Sequence, residues 1–143
     1  MSNQVKGYRG YIGSRSHDGG DFPQNVQNLI IRTYCQKHNL HYLLSATEYR
    51  MTGCYMILEE VLASLSSIEG IVLFSVFMLP QSAEKRQYIY QKVLDAGRSL
   101  HAALEDLSIK NVADVQMVED ILKLNKIALA KQSLTNFEEF CLA

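Results

Sequence analysis

Four consecutive polar residues near the amino terminus carry side chains that can bind an anion. Ser14, Arg15, Ser16 and His17 follow an apolar, glycine-containing stretch and precede a helical pattern that begins at Pro23. An arginine can bind a phosphate or a carboxylate through two parallel hydrogen bonds, and the amino end of the next helix can add backbone donors. The segment predicts an anion-binding loop, with a solvated surface loop as the alternative. It is neither a P-loop nor a dinucleotide fingerprint, because it lacks the Gly-Lys-Ser/Thr ending and its glycines precede the turn.

A second set of polar residues lies at the end of the next apolar stretch of the chain. Its members are Ser45, Thr47, Glu48, Tyr49 and Arg50. A glutamate that lies in a ligand crevice can act as a general base or accept a hydrogen bond from a ligand hydroxyl. The set therefore predicts ligand contacts, with Glu48 as a catalytic candidate. The alternative is a local ion pair between Glu48 and Arg50 in an ordinary turn.

A third candidate pair lies in a strand pattern further along the chain. Alternation places His101, Ala103 and Glu105 on one face of that strand. His101 and Glu105 are thus a candidate acid/base pair, and a hydrogen-bonded core histidine is the alternative for His101. The remaining histidines lack the spacing of a metal site. The three cysteines form neither a disulfide framework nor a CxxC half-site, so we expect buried, reduced thiols, no metal and no cofactor.

The elements that must position these residues alternate between strand and helix. Apolar runs predict strands, and apolar residues that recur every three or four positions predict helices. The expected strands cover 6–13, 40–46, 71–77 and 99–104. The expected helices run from Pro23 to about His38, from Leu58 to Leu65, from Ser82 to Gly97 and onward from Asn111, with a last short helix over 136–142. Ser82 and Asn111 are expected to cap the helices that they begin, and Asn39 and Gly97 are expected to end the helices before them. The start of the third helix, 82–87, is expected to be a charged outer face.

This alternation predicts a three-layer α/β domain with a mostly parallel sheet of about four strands. Right-handed crossovers favour the flavodoxin-like strand order 2-1-3-4, with the first and third strands in the centre. We expect a single domain over residues 1–125, followed by a helical tail over 126–143 that packs on the domain or on a partner. A ligand crevice is expected where the strand order reverses, between residues 14–22 and the segment that contains Gln81.

The charge and the apolar content of the sequence argue against two classes of partner, nucleic acid and membranes. The 143 residues include 14 basic and 15 acidic side chains, a net charge of −1, whereas binding to nucleic acid generally needs a basic surface. The amino terminus has no apolar signal-peptide core, and the longest apolar run, 71–79, is too short to span a bilayer. We therefore expect a cytoplasmic protein with no membrane insertion, with nucleic acid an unlikely partner and a homo-oligomer possible.

Several strings of residues resemble a known family over most of the chain. They are Gly7 to Ile12, Pro23 to Leu29, Leu43 to Tyr49, Met78 to Pro80 and Leu100 to Glu105. They look like the "sporadic carbohydrate cluster" family, small bacterial proteins encoded among genes for surface polysaccharides. The resemblance implies a role in surface carbohydrate biosynthesis, of the O-antigen or capsule type, without assigning a reaction.

A second resemblance concerns the first strand. Residues 10–16, followed by a helix that carries Gln27, are similar to the start of serine recombinase (resolvase) catalytic domains, which begin with a Tyr-x-Arg-x-Ser strand end. Aligning Tyr11 puts Gly13 at the arginine position and Arg15 at the serine position. The segment 78–82 also lacks the family's Asp-Arg-Leu-x-Arg pattern. Because strand transfer needs several arginines around the phosphate, the resemblance implies a resolvase-like fold rather than the activity.

These observations predict binding without a complete catalytic set. Our first hypothesis is that the chain binds a phosphorylated or carboxylated sugar, or a nucleotide sugar, at the carboxyl ends of the strands. A non-catalytic partner protein of a carbohydrate biosynthesis complex is the second hypothesis. A divergent recombinase-like DNA-processing domain, with Ser14 or Ser16 as nucleophile, is a distant third. Whether the protein is an enzyme stays open.

Overall fold

The computed structural model describes residues 6–14, 22–51 and 53–142, without the side chains of 133 and 135–142. Strands and helices alternate through these ranges, as the hydrophobic patterns predict. The strands are β1 (Tyr8–Gly13), β2 (Tyr42–Glu48), β3 (Gly70–Leu73), β4 (Ser99–Ala102) and β5 (Leu107–Ile109). The helices are α1 (Gln24–Lys37), α2 (Met56–Ala63), α3 (Ala83–Asp95) and α4 (Val112–Leu142).

The strands form one mixed sheet in the order β2-β1-β3-β4-β5. β1 pairs in parallel with β2 and with β3, and β3 pairs in parallel with β4. The predicted α/β class and the order 2-1-3-4 are therefore confirmed. β5 adds an antiparallel edge strand next to β4. We did not predict it, because it is three residues long and follows a turn in which Asp106 has a φ of 55°.

The third strand is shorter than its apolar sequence predicted. It ends at Leu73, and Val76–Met78 form a 3-10 turn instead. The Ser75 hydroxyl accepts a hydrogen bond from the Phe77 amide, and Ser75 and Val76 are fully buried. A continuous apolar run cannot distinguish a buried strand from a buried turn, and this explains the overestimate.

Two helices end in the same local motif. After α1, the Asn39 amide donates to Gln36 and the Leu40 amide donates to Cys35, the bonds of a Schellman motif. Gly97 occupies the corresponding position after α3, with a φ of 69°, and Asn39 has a φ of 57°. The sequence predicted both ends, because asparagine and glycine are the residues that adopt this left-handed conformation at little cost.

The long last helix departs from the predicted tail. The Asn111 side chain caps its first turn by accepting from the Asp114 amide at 3.0 Å, as predicted. The helix then continues to Leu142 without a break, so the separate helix over 136–142 is the end of α4. Val115 and Val118 are buried against the body of the protein, whereas most side chains after Leu122 are exposed. Within the described ranges, no helix has the length and apolar character needed to cross a membrane.

Candidate functional site at the carboxyl edge of the sheet

The polar residues after β1 and β2 meet at one edge of the sheet, where the parallel strands end. We call this the carboxyl edge. Gly13 pairs with Glu48 in the β1–β2 register, and Ser14 follows directly. On the other side of β1, the ring of Phe22 packs edge-on against Phe74 at 5.1 Å between centroids. Ser14 from the first predicted polar set and Glu48 from the second are thus adjacent. Arg15, Ser16 and His17 lie outside the described residues.

A buried glutamine fixes the end of β1 to α1. The Gln27 side-chain oxygen accepts from the Gly13 amide at 3.0 Å, and its amide nitrogen donates to the Gly13 carbonyl at 2.8 Å. The same nitrogen donates to the Phe22 carbonyl. Gln27 therefore binds the described residues on both sides of the segment that contains Arg15. The available sequence signal was the position of Gln27, four residues before Ile31 and seven before Tyr34 on one helix face. The recombinase resemblance includes the same residue.

Glu48 is buried and surrounded by hydrogen-bond donors. Its carboxylate accepts from the Tyr11 hydroxyl at 2.7 Å. It also accepts from the amides of Ile57 and Leu58 in the first turn of α2 and from its neighbour Tyr49. A helix leaves its first amides without internal partners, so Glu48 caps α2 from the adjacent strand. Tyr55, the residue before this helix, supplies no side-chain cap among the described residues.

These contacts determine the ionisation of Glu48. Burial by itself raises the pKa of a carboxyl, but the hydrogen bonds from Tyr11, Leu58, Ile57 and Tyr49 outweigh burial and hold the pKa of Glu48 below 4.5. A general base works best with a pKa near the working pH. The catalytic role predicted for Glu48 stays a prediction, and the geometry favours its role as a helix cap.

The other four residues of the second polar set differ in exposure: one is half-buried in the sheet and three face solvent. The Ser45 hydroxyl is 2.9 Å from the Tyr42 hydroxyl and lies half-buried. Thr47, Tyr49 and Arg50 are exposed. Ser14 links the two strand ends, because its hydroxyl donates to the Glu48 carbonyl at 3.2 Å. An ion pair between Glu48 and Arg50, the alternative considered above, is not found among the described contacts.

His101 has the surroundings of a core histidine. Its Nδ1 lies 2.7 Å from the Tyr34 hydroxyl, and its Nε2 lies 2.8 Å from the Ser99 hydroxyl. Burial, together with the charges of Lys110 and His38, lowers the pKa of His101 from 6.5 to about 4. The imidazole is therefore neutral at pH 7.

Glu105 binds elsewhere, so the structure does not bring the predicted acid/base pair together. Its carboxylate accepts from the Ser75 hydroxyl and from the Val76 amide, both at 2.7 Å. Glu105 thereby caps the 3-10 turn after β3. Both members of the predicted pair thus have other partners, and their catalytic roles remain predictions.

One polar cluster was missed from the sequence. The Arg86 guanidinium donates to both carboxylate oxygens of Glu119 at 2.9 and 3.0 Å, and the Tyr90 hydroxyl donates to the same carboxylate at 2.8 Å. Burial raises the pKa of Tyr90, and the bond to Glu119 raises the pKa of Arg86. The sequence predicts a charged outer face for the first part of α3, and the partner on α4 lies too far along the sequence to be inferred from local spacing.

Gln81 lies beside this cluster rather than at β1. It lines a cavity of about 440 Å³ between the segment after β3, α3 and α4, and its carbonyl accepts from Arg86 at 2.7 Å. The predicted contact between Gln81 and a ligand stays a prediction. Within the described part of the chain, no group of three or more His, Cys, Asp or Glu side chains is arranged to hold a metal ion.

Comparison with known proteins supports the fold alone. No protein-family model matches the sequence, and no curated protein matches it, so the expected membership of the sporadic carbohydrate cluster family receives no support. The structure resembles a resolvase family site-specific recombinase from Streptococcus pneumoniae, with a TM-score of 0.60 and 9% identity over 95% of this chain and 99% of that one. It also resembles the N-terminal catalytic domain of TP901-1 integrase, with a TM-score of 0.56 and 11% identity over 85% of this chain and 97% of that one. The predicted resolvase-like fold is confirmed.

Proposed function

We propose that the carboxyl edge beside β1 and β2 binds the phosphate or carboxylate group of a sugar derivative. The protein would then serve surface carbohydrate biosynthesis by binding rather than by chemistry. The observation that carries the proposal is the amino end of α1 at this edge. Among the described residues no side chain caps it, and its first turn contains no acidic residue. The partial positive charge of a helix amino end favours an anion at this place.

Three further groups support an anion at this place. Gln27 binds Gly13 and Phe22, which flank the segment containing Arg15, so both flanks of that segment lie near the amino end of α1. Ser14 fixes the end of β1 beside Glu48 by donating its hydroxyl to the Glu48 carbonyl, and Arg50, after β2, is exposed. The sugar part of the ligand rests on the sequence strings that resemble the carbohydrate cluster family.

The carboxylates support binding in preference to catalysis. Glu48 and Glu105 each accept from backbone amides and from a hydroxyl. Both carboxylates are thus already bound within the described part of the chain, and the two ring nitrogens of His101 lie within hydrogen-bond distance of Tyr34 and Ser99. General acid/base work needs a group that can exchange a proton with the ligand.

Thermal unfolding with sugar phosphates, sugar carboxylates and nucleotide sugars tests the proposal. A ligand that binds the folded state stabilises it, by about 2.7 kcal/mol at a hundredfold excess over its dissociation constant. We expect at least one phosphate-bearing compound to raise the midpoint, and we expect Arg15→Ala to abolish the shift. Arg32→Ala is the matched control, because Arg32 is exposed on α1 away from its amino end. Absence of a shift with every compound would contradict the proposal.

The second candidate function is a recombinase-like activity on DNA, favoured by the shared fold. Against it, the net charge is −1, and Arg86 and Arg98 bind Glu119 and the carbonyls of Leu65 and Ser66. Fluorescence anisotropy with a labelled DNA duplex at low salt distinguishes the two. Binding that weakens with added salt and is lost in Arg15→Ala, without any response to sugar phosphates, would assign the site to DNA.

A further inference from the structure

A groove between α2 and α3 contains two neighbouring cavities of about 450 and 520 Å³, and the side chain of Tyr88 lines both of them. The first cavity lies between the first halves of the two helices, and we call it the α2–α3 cavity. Its lining combines aromatic, apolar and charged side chains, among them Tyr55, Met56, Glu59, Glu84, Lys85 and Tyr88. Small-molecule sites typically have volumes of about 300–1,000 Å³ and apolar walls with a few polar groups. The α2–α3 cavity therefore has the size and the lining of a small-molecule site.

The Tyr88 ring already attracts one cation of its own chain. The ammonium of Lys92, one helical turn further along α3, is 5.6 Å from the centre of this ring, within the distance of about 6 Å at which a cation interacts with an aromatic face. Lys92 lines the second cavity but not the α2–α3 cavity. Lys92 therefore lies on the side of the ring that borders the second cavity. Because an aromatic ring has two equivalent faces, the side that lines the α2–α3 cavity can receive a cation from outside.

The α2–α3 cavity also contains two carboxylates, one from each helix. Glu59 and Glu84 are both exposed, and neither forms an ion pair or a side-chain hydrogen bond with another described residue. An acidic residue in a first helical turn commonly balances the helix dipole, but the buried Glu48 carboxylate already binds the first amides of α2. Glu59 is thus an additional negative charge. Lys85 contributes one positive charge against the two carboxylates, so the charged groups of the lining favour a cation.

We propose that the α2–α3 cavity binds a small organic cation, an amine or a guanidinium attached to an apolar body. The cationic group lies against the Tyr88 ring and the carboxylates of Glu59 and Glu84, and the apolar body contacts Met56 and Ile89, which also line the cavity. A metal ion fits this lining poorly, because Ca²⁺ and Mg²⁺ take about six or more oxygen ligands and aromatic rings supply none. The proposal is independent of the anion site at the carboxyl edge, since the two sites select opposite charges.

Isothermal titration calorimetry of the full chain with phenylethylamine tests which charge the cavity selects. This probe is a protonated amine on an aromatic body, and phenylethanol is its uncharged analogue of similar shape. We expect phenylethylamine to bind, and we expect phenylethanol to bind about tenfold more weakly or less, because only the amine interacts with the carboxylates and the Tyr88 ring as a cation. Equal affinities for the two probes, or no binding of the amine, would overturn the proposal.

Substitution of the carboxylates tests the site itself. Glu59→Gln combined with Glu84→Gln keeps the size of both side chains and removes both charges, so the affinity for phenylethylamine should fall by about tenfold. Glu60→Gln is the matched control, because Glu60 is the exposed neighbour of Glu59 on α2 and does not line the cavity. The control should bind the amine as the wild type does. Unchanged affinity in the double variant, or an equal loss in the control, would contradict the proposed site.

The position of the bound probe can be measured without any substitution. Amide chemical shifts recorded during titration with phenylethylamine should change at Gly53 and in the first half of α3, which line the cavity. Tyr88→Leu keeps an apolar side chain and removes the ring, and it should weaken binding by about threefold or more. Circular dichroism checks that each variant keeps its helix content. Shift changes that are confined to other parts of the chain would place the amine elsewhere and overturn the proposal.

Discussion

At the scale of single residues, polar side chains near the strand ends form hydrogen bonds with backbone groups of neighbouring elements. Glu48 caps α2, Glu105 caps the turn after β3, and Gln27 joins the end of β1 to α1. Buried donors and acceptors cost free energy when they lose their partners. Residues that a sequence presents as catalytic candidates can therefore be explained by the hydrogen bonds that parallel strand ends require.

Replacing Glu48 by glutamine should destabilise the protein by about 1–3 kcal/mol, because an amide offers one acceptor where the carboxylate offers two. The depressed pKa of Glu48 stabilises the fold above the ordinary value of 4.5, and this contribution is lost as the pH falls below 4.5. Urea unfolding should therefore show a gap between wild type and Glu48→Gln that narrows in acid. The exposed Glu60→Gln on the same helix is the control. Equal stability of Glu48→Gln and the wild type at neutral pH would rule out the cap.

His101 should make the stability depend on pH in a higher range. In the unfolded chain, the pKa of His101 is near its ordinary value of 6.5, whereas burial keeps it at about 4 in the folded chain. Between these values the unfolded state binds more protons, so stability falls as the pH falls, by roughly 3 kcal/mol in total. Unfolding of His101→Gln should show a correspondingly flatter dependence from pH 7 towards pH 4. His41→Gln, at an exposed position, should keep the wild-type slope, and the same slope in His101→Gln would contradict the burial effect.

At the scale of elements, the ends of helices are determined by a few neighbouring residues, and the types of these residues predict where a helix begins or ends. Ser82, Asn39, Gly97 and Asn111 were each predicted as a cap or a stop from residue type alone, and each occupies that position. An added Cβ at Gly97 would meet no atom within 4 Å. The consequence of filling Gly97 is therefore confined to the backbone.

Gly97→Ala should cost about 1 kcal/mol, because an L-residue with a side chain is strained at a φ of 69°. Asn39→Ala should be destabilising for the same reason, since Asn39 has a φ of 57°, whereas Asn39→Gly should not be. Equilibrium denaturation of the three variants measures these differences. No loss of stability in either alanine variant would show that the left-handed conformation is not required at these helix ends.

At the scale of the whole molecule, the fold was largely predictable and the site was only partly so. Hydrophobic patterns predicted the fold class, because each pattern lies within one segment of the chain. The handedness of the crossovers then predicted the order of four strands. The pairing of Arg86 with Glu119 and the capping of α2 by Glu48 join residues on different elements. Such contacts depend on the packing of the finished fold, and local spacing does not contain them. β5 was missed for a related reason, since three residues are too few to show alternation.

The central position of β1 also bears on how the chain is made. β1 emerges from the ribosome before β2 and β3, yet it lies between them in the sheet. When β2 has paired with it, the other side of β1 still presents unpaired backbone groups until Gly70–Leu73 has been synthesised. Unpaired strand edges invite pairing with other chains. A nascent chain that pauses before β3 therefore exposes the centre of its own sheet, and the interval of greatest risk of aggregation precedes the completion of the core.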